Sequence, residues 1–450
     1  MWAAISRRSR AGFGALALAV ALLLVADTLP AADADYCGEY RFASGGLVSV
    51  LTEGTTAGTT RLVATIWESG RVGALLADTL DRFTMSPPDA DGNTPTITFD
   101  RSPGGTIAAL TLETPGQVPR HAPRVVTFHE EELLFTSGDA TLSGTVKIPV
   151  GDGPFPGIVL VHGSGPAGRE SVESMARFFV SIGFATLSYD KRGCGGSTGD
   201  WKTADLLQLA RDALVGVAIL RARDDVDPTR VGMWGISQGG WVAPIAASHW
   251  TSVAFVINHS GPATSLRRQD TFMMSRVLEM QDVPPDDIDL AVAALNTLYD
   301  YGRGKATAAQ LDAAVAKTIG RAGLEDFATL TSENIIADSL YAQQPFGDPA
   351  WFLHLDPDRD ALEPYRLLRC PVLVVYGRLD YTVPVEESVV ALGSVFAQRG
   401  PADFHMAVLE RTGHGMLVMD PEAPQNPALP LSLALEYFAL LEDWLSARGF

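Results

Sequence analysis

The sequence predicts an α/β protein with a mostly parallel, doubly wound sheet, a helical cap insertion and a small N-terminal antiparallel β domain. Three patterns support this prediction. In residues 127–262 and 366–450, apolar runs alternate with amphipathic segments of helical period, which is typical of buried parallel strands joined by helices. Helical period alone dominates residues 263–365, and short alternating runs fill residues 35–126.

The first 34 residues have the organisation of a secretory signal peptide. Arg7, Arg8 and Arg10 precede an apolar run at 11–26, and Ala32-Asp33-Ala34 follows as a small-x-small cleavage site. The run has 16 residues, fewer than the roughly 20 that a membrane-spanning helix needs. We therefore expect an exported protein, periplasmic or extracellular, without stable membrane insertion after cleavage. An uncleaved anchor is the alternative.

Composition disfavours several classes of partner. The chain has 34 basic and 53 acidic residues and a net charge of −19, so nucleic acid and anionic membranes are poor partners. An apolar content of 46% over 450 residues is that of a globular protein with a large core. Three cysteines are too few for a disulfide framework. Neither CxxC nor HExxH spacing occurs, so we predict no metal and no cofactor.

The N-terminal β domain is predicted from alternating runs at 47–50, 62–67, 96–99 and 107–112, separated by turns rich in glycine. No pattern in it is catalytic, so we expect a packing or binding role. The core that follows begins with a hairpin at 133–138 and 142–150. Later strands are predicted at 157–161, 185–189, 231–234, 253–258, 371–377 and 404–409, and helices at 171–183, 206–223, 272–280, 287–301, 306–319, 386–397 and 431–448.

The helical insertion is expected to cover the carboxyl ends of the parallel strands, where α/β proteins bind ligands. A helical layer away from any site is the alternative. Trp241, Met273, Met274 and Phe352 are candidate walls of a pocket at this edge, although each fits plain packing as well.

Ser237 is the predicted nucleophile. Gly235-Ile236-Ser237-Gln238-Gly239 follows a short apolar run and leads directly into a segment of small residues. This strand–turn–helix context is that of a nucleophile elbow, in which glycines permit a tight turn that exposes the serine. An ordinary glycine-rich turn is the alternative. The same pattern recurs at 195–199, where no strand enters and no apolar helix follows, and there it predicts a flexible loop.

Asp380 and His414 are the predicted partners of Ser237. A serine hydroxyl attacks a carbonyl at neutral pH when a base takes its proton and a carboxylate orients that base. Asp380 follows a predicted buried strand, and His414 lies between two glycines on the loop after the next strand. His259 precedes every acid candidate and His405 lies inside a strand, so both are weaker candidates for the base.

Two backbone N–H groups are predicted to form an oxyanion hole. One belongs to Gln238, the residue after the nucleophile. The other is assigned to Ser164, in the loop that follows the strand at 157–161. A plain glycine–proline turn is the alternative for that loop.

Five motifs, in this order, resemble the α/β-hydrolase superfamily: HGSGP at 162–166, DKRGCGGSTG at 190–199, GISQGG at 235–240, GRLDYTVP at 377–384 and TGHG at 412–415. The similarity covers about residues 133–450. The chain looks like bacterial exported carboxylesterases of the serine-aminopeptidase-like or dienelactone-hydrolase-like group. The resemblance implies an α/β-hydrolase fold and a Ser237–His414–Asp380 triad that forms an acyl-enzyme.

The expected function is hydrolysis of small-molecule carboxylic esters with small or medium acyl groups. A serine peptidase of the aminopeptidase type and an acyl thioesterase are the alternatives. A non-catalytic binding protein is the least favoured, because binding requires neither a triad nor an oxyanion loop. Dienelactone hydrolases use a cysteine nucleophile and haloalkane dehalogenases an aspartate, so Ser237 argues against both activities. The sequence leaves the oligomeric state open.

Overall fold

The computed structural model describes residues 33–54, 60–89, 91–325, 327, 330–332, 355–399, 403–420, 422–423, 426–429 and 431–450. Most of the predicted signal peptide, residues 1–32, lies outside this set. So does the predicted pocket residue Phe352. No helix among the described residues combines the length and the apolar character needed to cross a bilayer.

The N-terminal strands form a closed antiparallel barrel of eight strands. Strand β1 closes the barrel by pairing with β8, where Glu39 lies opposite Val125. Alternate side chains point inward and fill the interior as one apolar cluster. The predicted antiparallel β domain is confirmed, and closure leaves its strands without the open edges that invite aggregation. The strands are β1 Gly38–Arg41, β2 Leu47–Gly54, β3 Thr60–Ile66, β4 Arg71–Thr79, β5 Arg82–Ser86, β6 Thr96–Arg101, β7 Ile107–Glu113 and β8 Arg120–Val125.

The second sheet has eight strands in the order β16-β15-β14-β13-β11-β12-β10-β9. Strands β11 to β16 run parallel, and β9 and β10 add an antiparallel hairpin at one edge. This confirms the predicted mostly parallel sheet. Its strands are β9 Phe128–Ser137, β10 Ala140–Pro149, β11 Phe155–Val161, β12 Ala185–Tyr189, β13 Val226–Ile236, β14 Val256–His259, β15 Val372–Gly377 and β16 Phe404–Leu409.

Helices cover both faces of this sheet, because successive residues of each buried strand point to opposite sides. In β11, Val159 and Val161 join one core and Ile158 and Leu160 join the other. Helices α2 (Leu206–Arg221), α3 (Gly239–His249), α7 (Glu363–Leu367) and α8 (Val385–Arg399) pack on the first face. Helices α1 (Glu173–Ser181) and α9 (Leu435–Ser446) pack on the second.

The helical cap lies between β14 and β15, and its first helix begins earlier than predicted. Its described helices are α4 (Leu266–Glu279), α5 (Pro285–Gly302) and α6 (Ala308–Ala316). Helix α4 starts six residues before the predicted 272, because the Ser265 side chain caps it by accepting a hydrogen bond from the Arg268 N–H. Gln269 on α4 donates to the carbonyl of Thr382 at 3.1 Å, so the cap contacts the loop after β15.

The barrel packs against the second face of the sheet. Its β3–β4 turn pairs with the segment before α9: the Leu433 N–H donates to Gly70 O and the Val72 N–H to Leu431 O, both at 2.8 Å. Trp67 contributes edge-on contact with Phe438 of α9. The barrel thus supports the chain segment that follows the loop of His414.

Candidate active site

The loops that carry the predicted site residues all leave the sheet at one edge. Strand register shows this directly: Val161 lies opposite Gly235, and Ile236 lies opposite His259. The next two strands continue the same line, with Gly377 opposite Leu409. The carboxyl ends of parallel strands meet at a common edge, so residues far apart in sequence become neighbours here.

Ser237 occupies the turn between β13 and α3. Its φ is +54°, in the left-handed region that non-glycine residues rarely adopt. A Cβ atom at Gly235 would lie 2.2 Å from Gly239 O, and one at Gly239 would lie 2.4 Å from Val161 O. Glycine is required at both positions because backbone passes too close for any side chain. The turn has the geometry predicted for a nucleophile elbow.

His414 and Asp380 meet across the loops after β16 and β15. His414 Nδ1 lies 2.7 Å from Asp380 Oδ2, and the aspartate side chain is fully shielded from solvent. The other carboxylate oxygen accepts hydrogen bonds from the N–H groups of Thr382 at 2.7 Å and Val383 at 3.0 Å. Both oxygens are therefore held, which fixes the orientation of the carboxylate toward the imidazole.

Ser237 and His414 are connected through His259. The Ser237 N–H donates to His259 O at 3.0 Å, and His259 Nε2 lies 3.2 Å from His414 O. Within the described part of the chain, the Ser237 hydroxyl makes no hydrogen bond to His414. Nucleophile–base hydrogen bonds are often long without substrate and tighten when substrate binds.

His259 belongs to a directional hydrogen-bond chain that the sequence did not reveal. A carbonyl can only accept, so His259 Nε2 carries the proton that it donates to His414 O. Its Nδ1 then accepts from the Tyr437 hydroxyl at 2.8 Å, and that oxygen accepts from Trp234 Nε1 at 2.8 Å. Burial lowers the pKa of His259 to about 3. The neutral imidazole supports the backbone of the His414 loop.

The predicted oxyanion donors lie on either side of the elbow. A Cβ atom on Gly163 would lie 3.4 Å from Ser237 Cβ, so the loop that carries Ser164 packs against the nucleophile. Gln238 precedes α3, whose first N–H groups have no partner within the helix. Among the described residues, no protein group accepts a hydrogen bond from the N–H of Ser164 or of Gln238. Both donors are available for a ligand oxygen.

Lys191 is a second residue that the sequence did not single out. Its ammonium group donates to Gly163 O at 2.6 Å, to Gly165 O at 2.7 Å and to Gln238 Oε1 at 3.3 Å. It comes from the loop after β12, and the DKRG motif was the available signal. It joins the loop that carries Ser164 to Gln238, the two predicted oxyanion donors.

The candidate pocket residues have different surroundings. Met273 packs with Val277, Met280 and Tyr381 in a small apolar cluster beside Asp380. Met274 is fully buried in the main core, and Trp241 lines a cavity between α3 and the cap. In the part of the chain that the structure describes, no group of three or more histidine, cysteine or acidic side chains could hold a metal ion.

Comparison with known proteins identifies relatives of part of the chain. The esterase EstD of Thermotoga maritima is 29% identical over 235 residues, which are 44% of this chain and 56% of EstD. The quorum-quenching protein AidA of Acinetobacter baumannii is 32% identical over 128 residues, which are 28% of this chain and 42% of AidA. The chain therefore spans about half the length of these two relatives. A solved esterase structure from Pyrococcus furiosus has a TM-score of 0.45 and 17% identity, and the match covers 72% of this chain and 96% of that one.

A family profile described as the alpha/beta hydrolase family matches residues 158–425. This match covers more than half of the chain and includes Ser164, Ser237, Asp380 and His414. The protein belongs to the alpha/beta hydrolase family.

Proposed function

We propose that this protein is a serine hydrolase that cleaves carboxylic esters of small or medium acyl groups through an acyl-enzyme. The observation that carries the proposal is the 2.7 Å contact between His414 Nδ1 and the buried Asp380 carboxylate. It lies at the sheet edge where Ser237 occupies a strained turn. A structural histidine would need neither a shielded carboxylate with both oxygens held nor a nucleophile beside it.

In the proposed reaction, Ser237 Oγ attacks the ester carbonyl carbon while His414 Nε2 takes the hydroxyl proton. Asp380 accepts the hydrogen bond from His414 Nδ1–H, so Nε2 is the nitrogen left to accept the serine proton. The same carboxylate stabilises the imidazolium that forms. His414 then gives the proton to the leaving alkoxide, which departs as the alcohol and leaves Ser237 acylated.

Deacylation repeats these steps with water. His414 Nε2 takes a proton from the attacking water, the second tetrahedral intermediate collapses, and Ser237 Oγ recovers its proton as the carboxylic acid leaves. In both halves the negative oxygen is proposed to bind the N–H groups of Ser164 and Gln238. The N-terminus of α3, which begins at Gly239, adds a favourable dipole for that charge.

The cap supplies an apolar surface beside the loop of Asp380. Helix α4 is joined to the acid loop by the hydrogen bond from Gln269 to Thr382 O, and Met273 and Tyr381 belong to one apolar cluster there. An apolar wall close to the triad favours alkyl groups over charged ones. The name of the Thermotoga maritima relative, an esterase, is in keeping with ester hydrolysis.

The test is hydrolysis of p-nitrophenyl esters of increasing acyl length by the wild type, Ser237→Ala and the control Ser197→Ala. We expect turnover that is greatest for short or medium chains, is abolished in Ser237→Ala and persists in Ser197→Ala. If esters are not cleaved but a fluorophosphonate still labels Ser237, the substrate is a peptide or a thioester. If the folded wild type cleaves no substrate and is not labelled by the fluorophosphonate, the enzymatic function is disproved.

We also propose that the protein is exported and loses residues 1–34. This proposal rests on the sequence pattern described above. The mass of the protein recovered from the periplasm or the medium tests it, since cleavage predicts a chain that begins at Asp35. A full-length chain retained in the cytoplasm would contradict it.

A further inference from the structure

Lys191 is a buried cation whose partners are all neutral oxygens. Its residue is 2% exposed, and its three hydrogen bonds go to Gly163 O, Gly165 O and Gln238 Oε1. Burying an ammonium group is costly unless each donor finds an acceptor. The chain offers a contrast in Lys147, which is 3% exposed and pairs with the carboxylates of Glu130 and Glu173. Charge neutralisation explains Lys147 but not Lys191.

The partners of Lys191 belong to both sides of the oxyanion site. Gly163 and Gly165 flank Ser164, and Gln238 follows the nucleophile. One ammonium group therefore ties the loop after β11 to the first residue of the elbow helix. A salt bridge elsewhere in the sheet could stabilise the fold equally well, whereas this arrangement fixes the relative position of two predicted donors.

The geometry of the peptide bond links the hydrogen bond from Lys191 to Gly163 O with the proposed catalysis. The Gly163–Ser164 peptide is trans, and in a trans peptide the C=O and the following N–H point in opposite directions. Lys191 holds Gly163 O, so the N–H of Ser164 faces away from the lysine. Gly163 itself packs against Ser237.

We propose that Lys191 is a positioning residue that holds the Ser164 N–H toward the reacting carbonyl oxygen and so keeps the oxyanion hole formed. This inference rests on the proposed function of Ser237 as a nucleophile. Without the ammonium group, Gly163 O and Gly165 O lose their donor inside the protein. A buried carbonyl without a donor is unfavourable, so rotation of the Gly163–Ser164 peptide toward another donor lowers the free energy. That rotation turns the Ser164 N–H away from the nucleophile.

Protonation of Lys191 provides a readout that a purely structural lysine lacks. Burial lowers the pKa of Lys191 to about 8, and a negative charge on the nearby Cys194 opposes this effect. The titratable groups around Lys191 keep one charge state near this pH, since burial raises the pKa of the Cys194 thiol above its usual value. Burial and the charge of Lys191 lower the pKa of His162 to about 3, Tyr189 has a raised pKa because it is buried, and Asp190 is paired with Arg169.

The sign of the pH effect follows from counting donors. An ammonium group has three N–H donors for the three oxygens, and a neutral amine has two. One contact is therefore lost as the pH rises through about 8. The rate of Ser237 acylation is therefore expected to fall as the pH rises above about 8, which gives the pH–rate profile a basic limb. Protonation of the base, His414, would give a separate acidic limb.

The experiment compares wild type, Lys191→Met and the matched control Lys147→Met, with folding checked by circular dichroism. The steady-state kcat and KM for p-nitrophenyl butyrate and the rate of fluorophosphonate labelling of Ser237 are measured from pH 6 to 10. We expect Lys191→Met to lower kcat and the labelling rate by about 10²-fold, with KM changed less than threefold and without the basic limb. Lys147→Met should keep the wild-type rates and pH profile.

A folded Lys191→Met with kcat and labelling within threefold of wild type would overturn the inference. Equal losses in the two lysine variants would assign Lys191 a structural role and also overturn it. If Lys191→Met does not fold, Lys191→Gln replaces it, with a smaller loss and no basic limb expected. The labelling rate keeps this test independent of the ester assignment: a wild type that is labelled but cleaves no ester contradicts only the proposed substrate.

Discussion

The elbow at 235–239 and the loop at 195–199 have the same G-x-S-x-G pattern, but positive φ angles fall on different residues in each. In the elbow the serine has the positive φ, +54° at Ser237. In the loop the glycines have it, +51° at Gly195 and +92° at Gly199. Ser237 itself adopts the strained backbone conformation and stays half-buried at the edge of the sheet. At Ser197 the flanking glycines adopt the positive φ angles, and the serine is buried.

The hydroxyl groups differ accordingly. Ser197 is buried, donates to Asp190 O at 2.7 Å and accepts from the Ser143 N–H at 2.9 Å. Both its donor and its acceptor capacity serve the fold. Ser237 is half-buried and its backbone N–H, not its hydroxyl, makes the tertiary contact with His259. The comparison teaches that the pattern specifies a turn, while the elements on either side decide whether the serine can react.

The largest expected difference between the two serines is chemical. After treatment with a fluorophosphonate and proteolysis, mass spectrometry should find the label on Ser237 and not on Ser197, with a rate ratio of at least about 10³. The proposed base, His414, is held by Asp380 at the sheet edge that carries Ser237, whereas the Ser197 hydroxyl is bonded to backbone groups. If Ser197 is labelled instead, or if both serines are labelled equally, the two serines do not differ in reactivity as predicted.

Substitution of the elbow glycine comes next. In Gly239→Ala the new Cβ would lie 2.4 Å from Val161 O and 3.0 Å from His162 O, so backbone must move. We expect a loss of roughly 3 kcal/mol in unfolding free energy together with a large loss of ester turnover, because the displaced strand leads into the oxyanion loop. Urea denaturation and kcat/KM measure the two effects.

Gly199→Ala is the matched control for that substitution. Its backbone strain arises from the positive φ, and its position in the second motif is away from Ser237. It should lose stability while the remaining folded protein keeps wild-type kcat. A Gly239→Ala protein with normal turnover would show that the elbow tolerates a side chain, contrary to the geometry above.

Ser197→Ala should have a smaller effect, and on stability. The substitution leaves Asp190 O and the Ser143 N–H without their buried partner, which costs about 1.5 kcal/mol. Ser394→Ala provides the control, since that exposed hydroxyl donates only within its own helix, to Ala391 O. The urea midpoint should fall for Ser197→Ala and remain unchanged for Ser394→Ala; equal midpoints would mean that the loop does not depend on its serine.

The smallest expected effect is the loss of the stabilisation by Asp190 at acidic pH. Burial raises the pKa of Asp190, but hydrogen bonds from the Arg169 side chain and from the backbone N–H groups of Arg169 and Gly196 outweigh it and lower the pKa overall. A carboxyl group with a lowered pKa in the folded protein stabilises the fold at pH values above its pKa in the unfolded chain. This stabilisation is lost as the pH falls through the pKa of the folded protein. The difference in urea midpoint between wild type and Asp190→Asn should therefore narrow from about pH 6 to about pH 3. A difference that stays constant would contradict the assignment.

The local pattern of the sequence determined the fold class and much of the order of elements. Alternating apolar runs set the strands of both sheets, and the continuous apolar run at 371–377 marked a strand buried on both faces. Glycine at 235 and 239 predicted the elbow, because few other arrangements demand two glycines around a serine at the end of a strand. Asp380 and His414 were predicted from their position after strands. The assignment of roles to these residues stays a prediction until turnover is measured.

Tertiary structure alone decided the features that depend on distant partners. Closure of the barrel joins Glu39 to Val125, and no local signal encodes a pairing over such a separation. The support of His414 by His259 and Tyr437, and the bridge that Lys191 makes to Gly163 and Gln238, depend on which strand ends become neighbours. A histidine or a lysine next to a strand looks the same in sequence whether it faces solvent or a buried carbonyl. Only the sheet order, which sets the acceptors around each side chain, distinguishes the two.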